Sequence, residues 1–259
     1  MNDPVTDLVR RHDPDRFLTA LFAPPARRDA LLVLYAFNHE LARAREVASE
    51  APLALIRLQW WREVVEGEDK RHEVATPLTA CLAAGILNPA HLLPLIEARE
   101  TEVYGDFETL ADWRAWLLAG AGGLAVAAAS ALGAPDPDAA RPFGAAYGAA
   151  GVLRATGVLA GQGACLLPRD ALLRHGLSPE AFIDDPGSSA ARAVLADMVS
   201  EAKRLLGEGQ RAPIPRPAVA SILPAVLARR DLDRWPAVAM PRRLDDRLAV
   251  VFAGMTGRV

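Results

Sequence analysis

The chain has 259 residues, 51% hydrophobic and 24% charged, so it can bury a sizeable core and is not a disordered segment. Its formal net charge of -3 gives no overall attraction to nucleic acid, and no nucleic-acid partner is expected. Two cysteines, Cys81 and Cys165, are too few for a disulfide framework and lack the C-x-x-C spacing of a structural zinc site.

The N-terminal sequence MNDPVTDLVRRHDPDRF contains acidic residues and no apolar run. This pattern argues against a signal peptide and disfavours a transit peptide. A cytoplasmic protein is therefore expected.

The predicted elements are all helices. Thr76-Pro77, Asn88-Pro89 and Ser178-Pro179 each place an N-cap residue before a proline suited to the first helical turn. Apolar residues recur at intervals of three and four, and no alternating run bounded by turn residues indicates a strand. We predict an all-α protein with one domain over 1–259. The predicted helices are 26–49, 52–67, 77–86, 89–104, 111–132, 138–163, 178–184, 188–207, 217–230 and 240–255.

One apolar segment, AWLLAGAGGLAVAAASALGA at 115–134, is long enough to cross a bilayer. Alanine and glycine gain little from lipid, and no basic cluster flanks the segment to set its orientation. A buried central helix is therefore favoured over a membrane span.

Metal-binding and phosphate-binding patterns are scarce. Between Trp113 and Arg169 the acidic residues are Asp136 and Asp138, both in the break between two apolar helices. The five histidines form no H-E-x-x-H pattern, and GAGG at 120–123 is not followed by Lys-Ser/Thr. No metal and no cofactor are expected.

Two further stretches allow a functional or a purely structural interpretation. LQWWREVVEG at 58–67 provides either core aromatics with an extended arginine or one wall of a ligand site. Glu97, Glu100 and Glu102 could be ligands, but a solvated helix face is favoured.

Three strings resemble the squalene/phytoene synthase family: LYAFNHELARARE at 34–46, LIRLQWWREVVEG at 55–67 and LRATGVLAGQGACLLPRDALLRHGL at 153–177. The resemblance implies an isoprenoid-synthase-like helical bundle around a central cavity. In active members, aspartate-rich motifs on two helices bind Mg²⁺ and a prenyl diphosphate. The matching positions of the first motif hold Ala42, Arg43 and Glu46.

The second motif is changed as well. Leu153 and Arg154 match it, but its metal-binding positions hold Ala155 and Leu159, and the acid between them is Val158. The resemblance thus implies a retained scaffold without metal chemistry, and no catalytic residue is expected.

Y-A-F-N-x-E-L-A, R-x-Q-W-W-R-x-x-V-E and L-R-A-T resemble a divergent branch of this family, which includes a mitochondrial complex I assembly factor and its bacterial relatives. This implies a non-catalytic protein that acts in assembly of a respiratory NADH:quinone oxidoreductase. The expected partners are subunits of that complex or other assembly factors, and the expected location is the cytoplasm, with peripheral contact at the inner membrane.

The resemblance also suggests which residues line the vestigial cavity: Tyr35, Asn38, Glu46, Gln59, Arg62, Arg154 and Gln162. Asn38, Glu46 and Arg154 are expected to share one cavity, and a buried Arg154 is expected to pair with Glu46 because an unpaired buried cation is costly.

Two alternatives remain open. An active prenyl transferase would have Glu46 as its surviving motif acid. An isoprenoid or lipid carrier would need the apolar cavity without the metal. Two arginine-rich segments with apolar residues, 10–28 and 228–243, are candidates for contact with a membrane.

Overall fold

The chain folds into fourteen α-helices and two 3₁₀ turns over the residues that the computed structural model describes, 4–46, 50–209, 213–236 and 242–259. No β-strand occurs in these ranges, so the all-α prediction is confirmed. The helices are α1 Pro4–His12, α2 Pro14–Ala20, α3 Pro25–Glu46, α4 Ala51–Val65, α5 Ala75–Ala83, α6 Pro89–Tyr104, α7 Leu110–Ala119, α8 Ala121–Ala131, α9 Arg141–Gly161, α10 Arg169–Arg174, α11 Pro179–Asp184, α12 Ser189–Gly209, α13 Pro224–Asp233 and α14 Leu244–Thr256; the 3₁₀ turns are Pro137–Ala140 and Arg216–Ser221.

Local capping explains several of the helix starts. The Asn88 side chain accepts a hydrogen bond from the backbone N–H of Ala90, and the Ser178 hydroxyl accepts one from Ala181. Thr109 and Asp112 form a reciprocal capping box at the start of α7. Thr76 is not a cap, because α5 begins one residue earlier, at Ala75.

The centre of the bundle is formed by α8 and α9. Nine of the eleven residues of α8 are buried, and the helix packs against α9, α6 and α3. The approach to α9 is close, since a Cβ atom added at Gly148 would lie 2.5 Å from the Cβ of Ala121. Small residues on both helices therefore set the distance between their axes.

The apolar segment that could have crossed a membrane lies largely inside the bundle. Within the described residues, Leu110–Ala131 is the stretch with the length and hydropathy of a span, and 56% of its 18-residue apolar window is buried in the protein. Gly120 separates its two helices with backbone angles of φ -78 and ψ -88. The structure thus has two packed helices where one helix was predicted over 111–132.

Other predicted boundaries also change. The helices α1, α2 and α10 were not predicted, because they are short and are stabilised by tertiary contacts and caps, such as the Asp13 side chain that accepts from Arg16 N–H. The predicted helix 217–230 is a 3₁₀ turn followed by α13. Parts of the predicted helices 26–49 and 240–255 lie outside the described residues.

Candidate functional site

A cavity of about 360 Å³ opens among α2, α3, α6, α7, α8 and α9. Apolar groups form the larger part of its wall, and polar and charged side chains form the rest. Its apolar lining includes Leu95, Ala98, Trp116, Leu117, Val152, Ala155, Leu159 and Leu166, and its polar lining includes Asp13, Arg16, Asn38, Arg99, Glu102, Tyr147 and Arg154.

Two tryptophans fix the apolar wall. The indole N–H of the fully buried Trp113 donates to the carbonyl oxygen of Leu166 at 2.9 Å. The indole N–H of Trp116 donates to the carbonyl of Ala98 at 3.1 Å. Because Ala98 and Leu166 both line the cavity, these hydrogen bonds hold the wall in place.

Arg154 lines the cavity and belongs to a chain of largely buried ion pairs. Its guanidinium donates to Asp231, whose other carboxylate oxygen accepts from Arg242 at 2.5 Å. Arg242 in turn donates to Asp15 at 2.9 Å, and Asp15 accepts the hydroxyl of Tyr147 at 3.0 Å. The charge of Arg154 is therefore compensated by the protein's own carboxylates.

The second cation of the cavity, Arg16, lies between two tyrosine rings. Its guanidinium carbon is 4.8 Å from the ring centre of Tyr147 and 5.8 Å from that of Tyr35, and it pairs with Asp13 at 2.8 Å. Burial alone would lower the pKa of Arg16, but attraction by Asp13 outweighs it and leaves the pKa raised.

The two tyrosines are held in the neutral form. Burial raises the pKa of Tyr147, and repulsion from Asp13 and Asp15 raises it further. Burial likewise raises the pKa of Tyr35. Neutral Tyr147 is thus a hydrogen-bond donor to Asp15 at the cavity wall.

The third cation, Arg99, pairs with Glu102 at 2.6 Å and donates to the side-chain oxygen of Asn38 at 3.4 Å. Glu102 also lies 4.0 Å from Arg45. The interpretation of Glu102 as part of a solvated face is therefore wrong, since it lines the cavity. Every arginine among the described lining residues has a carboxylate partner.

Of the residues expected at the cavity, the structure brings Asn38 and Arg154 together there. The Glu46 side chain lies outside the described residues, and the partner found for Arg154 is Asp231. Tyr35 lies behind Arg16 in the core, where it faces a small separate void.

The remaining three expected residues are not in the cavity. Gln59 lines an open groove on the outside of α4, and Arg62 pairs with Glu100 at 2.9 Å on the same side. Gln162 is exposed because α9 ends there. In the same α4 segment Trp61 is buried in the core, so the ligand-wall interpretation of LQWWREVVEG does not apply to this cavity.

Sequence reasoning missed Asp13, Arg16, Tyr147, Asp231 and Arg242. Arg16 and Arg242 belong to the two segments, 10–28 and 228–243, that were candidates for membrane contact, but both side chains form ion pairs inside the protein. Phe17, Leu18 and Trp235 of those segments also pack against the core. No local signal joins Asp15 to Arg242, which are 227 residues apart.

The donor set does not fit a Mg²⁺-diphosphate site. The carboxylates of the described lining, Asp13 and Glu102, are each engaged by an arginine. Ala155 and Leu159 offer no oxygen to the cavity, and Val158 is exposed on the outside of α9. No group of three acidic, histidine or cysteine residues that could hold an ion occurs in the described part of the chain.

The helical bundle of the described residues has an isoprenoid-synthase-like fold. Solved structures of this fold are similar to the chain over nearly its whole length. A dehydrosqualene synthase has a TM-score of 0.78 at 15% identity, covering 97% of this chain and 95% of that one. Squalene synthase HpnC from Alicyclobacillus acidocaldarius has a TM-score of 0.68 at 20% identity, covering 98% and 92%.

The chain belongs to the squalene/phytoene synthase family, whose profile matches residues 9–245.

Curated relatives carry a different name. A protein named "NADH dehydrogenase (ubiquinone) complex I, assembly factor 6" from Rattus norvegicus is 28% identical over 204 residues, covering 76% of this chain. The Homo sapiens protein of the same name is 28% identical over 207 residues, and a Drosophila melanogaster homolog is 28% identical over 197 residues. The match to the rat and human proteins spans 61% of their length.

Proposed function

We propose that this protein acts in the assembly of a respiratory NADH:quinone oxidoreductase and has no prenyl-diphosphate chemistry of its own. The similarity to relatives named as complex I assembly factors supports the role. The described cavity supports the lack of chemistry, since Ala155 and Leu159, which the resemblance matches to metal-binding positions of active members, line it without a carboxylate.

The observation that carries the second part of the proposal, the lack of prenyl-diphosphate chemistry, is the ion pair between Arg154 and Asp231. Departure of a diphosphate from a prenyl chain leaves several negative charges, which need preorganised positive charge around them. Arg154 is neutralised by Asp231, and Arg16 and Arg99 are neutralised by their own partners. A diphosphate would have to displace these carboxylates before it gained any cation.

The protein then acts through binding. Its partners in this proposal are subunits of the complex or other assembly factors, and its place is the cytoplasm, with peripheral contact at the inner membrane. We expect assembly of the complex, and not isoprenoid synthesis, to depend on this protein.

Deletion of the gene tests this proposal. We expect the amount of assembled NADH:quinone oxidoreductase on a native gel to fall and carotenoid and hopanoid levels to stay unchanged. Re-expression of the wild-type chain should restore the complex. Loss of isoprenoids with a normal complex would overturn the proposal.

A direct assay covers the alternative of an active prenyl transferase. Purified protein with farnesyl or geranylgeranyl diphosphate and Mg²⁺ is expected to give neither condensed product nor diphosphate. Detection of a condensed product would show that the chain is an active prenyl transferase.

The apolar part of the cavity lining favours a second candidate function, binding of an isoprenoid or another lipid. Its lining by Leu95, Trp116, Leu117 and Leu159 suits an uncharged hydrocarbon chain. Farnesol, which lacks the diphosphate, is the probe. Wild-type protein should bind it, and Ala155→Trp, which fills the cavity, should not; equal binding by both would exclude this site.

A further inference from the structure

The last helix, α14, carries a stripe of exposed apolar side chains. Leu244, Leu248, Phe252 and Met255 are 57% to 72% exposed. Their spacing of four, four and three residues places them on one face, about 16 Å long at the rise of an α-helix. We call these four residues the α14 stripe.

The opposite face of α14 is firmly attached to the bundle. Asp246, Val250, Ala253 and Gly254 are buried. A Cβ atom at Gly254 would lie 2.5 Å from the Phe22 ring, so the backbone of α14 approaches α2 closely. The guanidinium of Arg216 donates to the carbonyl of Met255 and caps the end of the helix. The α14 stripe is therefore held outward by a fixed helix.

The acidic residues of α14 are neutralised. Asp246 is buried and accepts from Arg230 and Arg234, each at 2.6 Å. Asp245 accepts from the same two arginines at 2.5 Å and lies 3.4 Å from Arg243.

The surroundings of the stripe are cationic. Arg247 lies at the edge of the stripe, is exposed and has no carboxylate partner among the residues that the structure describes. Arg258 follows the helix and has no carboxylate partner in the same ranges. Within the described residues, the charged side chains on α14, at its ends or hydrogen-bonded to it include six arginines and two aspartates: Arg216, Arg230, Arg234, Arg243, Arg247, Arg258, Asp245 and Asp246.

We propose that the α14 stripe inserts into the headgroup region of an anionic lipid bilayer. Apolar side chains on one helical face, rimmed by arginines, gain both from burial at the acyl boundary and from attraction to anionic headgroups. The inference rests on the peripheral membrane placement proposed above and names the surface that makes the contact.

Charge favours an anionic bilayer over a second copy of the chain as the partner of the α14 stripe. A symmetric dimer through the α14 stripe would bring the unpaired arginines of both copies toward each other, which is unfavourable. Anionic headgroups are complementary to the same arginines. A single convex helix also lies readily along a bilayer surface.

A second exposed apolar surface, on α4 and α6, provides a matched control. Ile56 is 65% exposed, comparable to Phe252. The groove beside it is lined by Glu63 and Glu100, which pair with Lys70 and Arg62, so its described lining offers no unpaired cation to an anionic lipid.

The experiment measures co-sedimentation of the purified full chain with vesicles. Wild-type protein should bind vesicles that contain phosphatidylglycerol and should bind poorly to phosphatidylcholine alone, with binding weakened by salt. The double variant Leu248→Ser/Phe252→Ser should lower the partition coefficient about tenfold or more, and Ile56→Ser should change it less than about twofold. Arg247→Glu should weaken binding to the anionic vesicles only.

Hydrogen exchange on the wild-type chain keeps the proposal testable if a variant fails to fold. Anionic vesicles should slow exchange in peptides that cover 244–256 and leave those from 51–65 unchanged.

Three results would overturn the proposal. The first is that the wild type does not bind anionic vesicles, and the second is that Ile56→Ser loses as much vesicle binding as the double variant. The third is that the wild type does not bind vesicles but forms a dimer in light scattering, and the double variant abolishes that dimer. If the double variant loses vesicle binding and still restores the respiratory complex in the deletion strain, that result would support the α14 stripe as the membrane-binding surface and would show that the assembly role does not need it.

Discussion

The packing of α8 against α9 depends on Gly144, and replacing this glycine by alanine tests the described helix crossing. A Cβ atom at position 144 would meet the backbone carbonyl oxygen of Ala121 and would lie 2.6 Å from the Cβ of Ala125. The obstacle includes backbone, which cannot rotate away as a flexible side chain can. The two helices would have to move apart.

The magnitude follows from two opposing effects. Alanine in place of glycine favours a helix by about 1 kcal/mol. Overpacking costs about 1–3 kcal/mol, and the contact with backbone places Gly144→Ala at or above the upper end. We expect a net loss of about 2 kcal/mol in the free energy of unfolding, which lowers Tm by about 4–8 °C in a chain of this size.

The same helix supplies the control. Gly157 is exposed, and nothing lies within 4 Å of a Cβ atom placed there. Gly157→Ala should therefore raise stability by about 0.5–1 kcal/mol. Thermal and urea unfolding, followed by circular dichroism, measure both variants. If Gly144→Ala were as stable as Gly157→Ala, the close α8 and α9 crossing would be refuted.

Two further predictions concern buried charge. Asp231→Ala removes the partner of Arg154 and should lower the free energy of unfolding by about 3–5 kcal/mol in urea, whereas the exposed Asp233→Ala on the same helix should change it by less than about 1 kcal/mol; equal losses would contradict the pairing. Burial alone would raise the pKa of Asp246, but hydrogen bonds from two arginines outweigh it and lower the pKa. Its contribution to stability is therefore present above the unfolded pKa of about 3.9 and is lost as pH falls through the lower folded value. Asp246→Asn should flatten the decline of the urea midpoint below pH 4, and an unchanged decline would contradict this assignment.

The helical class of the fold could be predicted from the sequence because the signals that indicate helices are local. Proline after a capping residue and apolar spacing of three and four residues correctly indicated α6 and α11. The break at Gly120 could not be predicted, since glycine is also tolerated inside helices and its neighbours decide which occurs. The short helices α1 and α2 depend on contacts with α3 that no local pattern contains.

The residues of the candidate site could likewise be predicted only in part. The resemblance placed Asn38 and Arg154 on helices that share one cavity, and both line it. Gln59 and Arg62 belong to an equally recognisable string, but the rotation of α4 directs them to the outer surface. A motif fixes which residues are near in sequence, and only packing decides which of them face the same space.

By itself, the sequence determined the helical class and the family, since both are written in local order. The tertiary structure alone decided that Arg154 pairs with Asp231 and that Arg242 pairs with Asp15, because these partners are 77 and 227 residues apart. It also decided that the apolar face of α14 is exposed. An apolar stripe has the same spacing whether it packs on a core or faces outward, so its environment is settled only when the rest of the chain has folded around it.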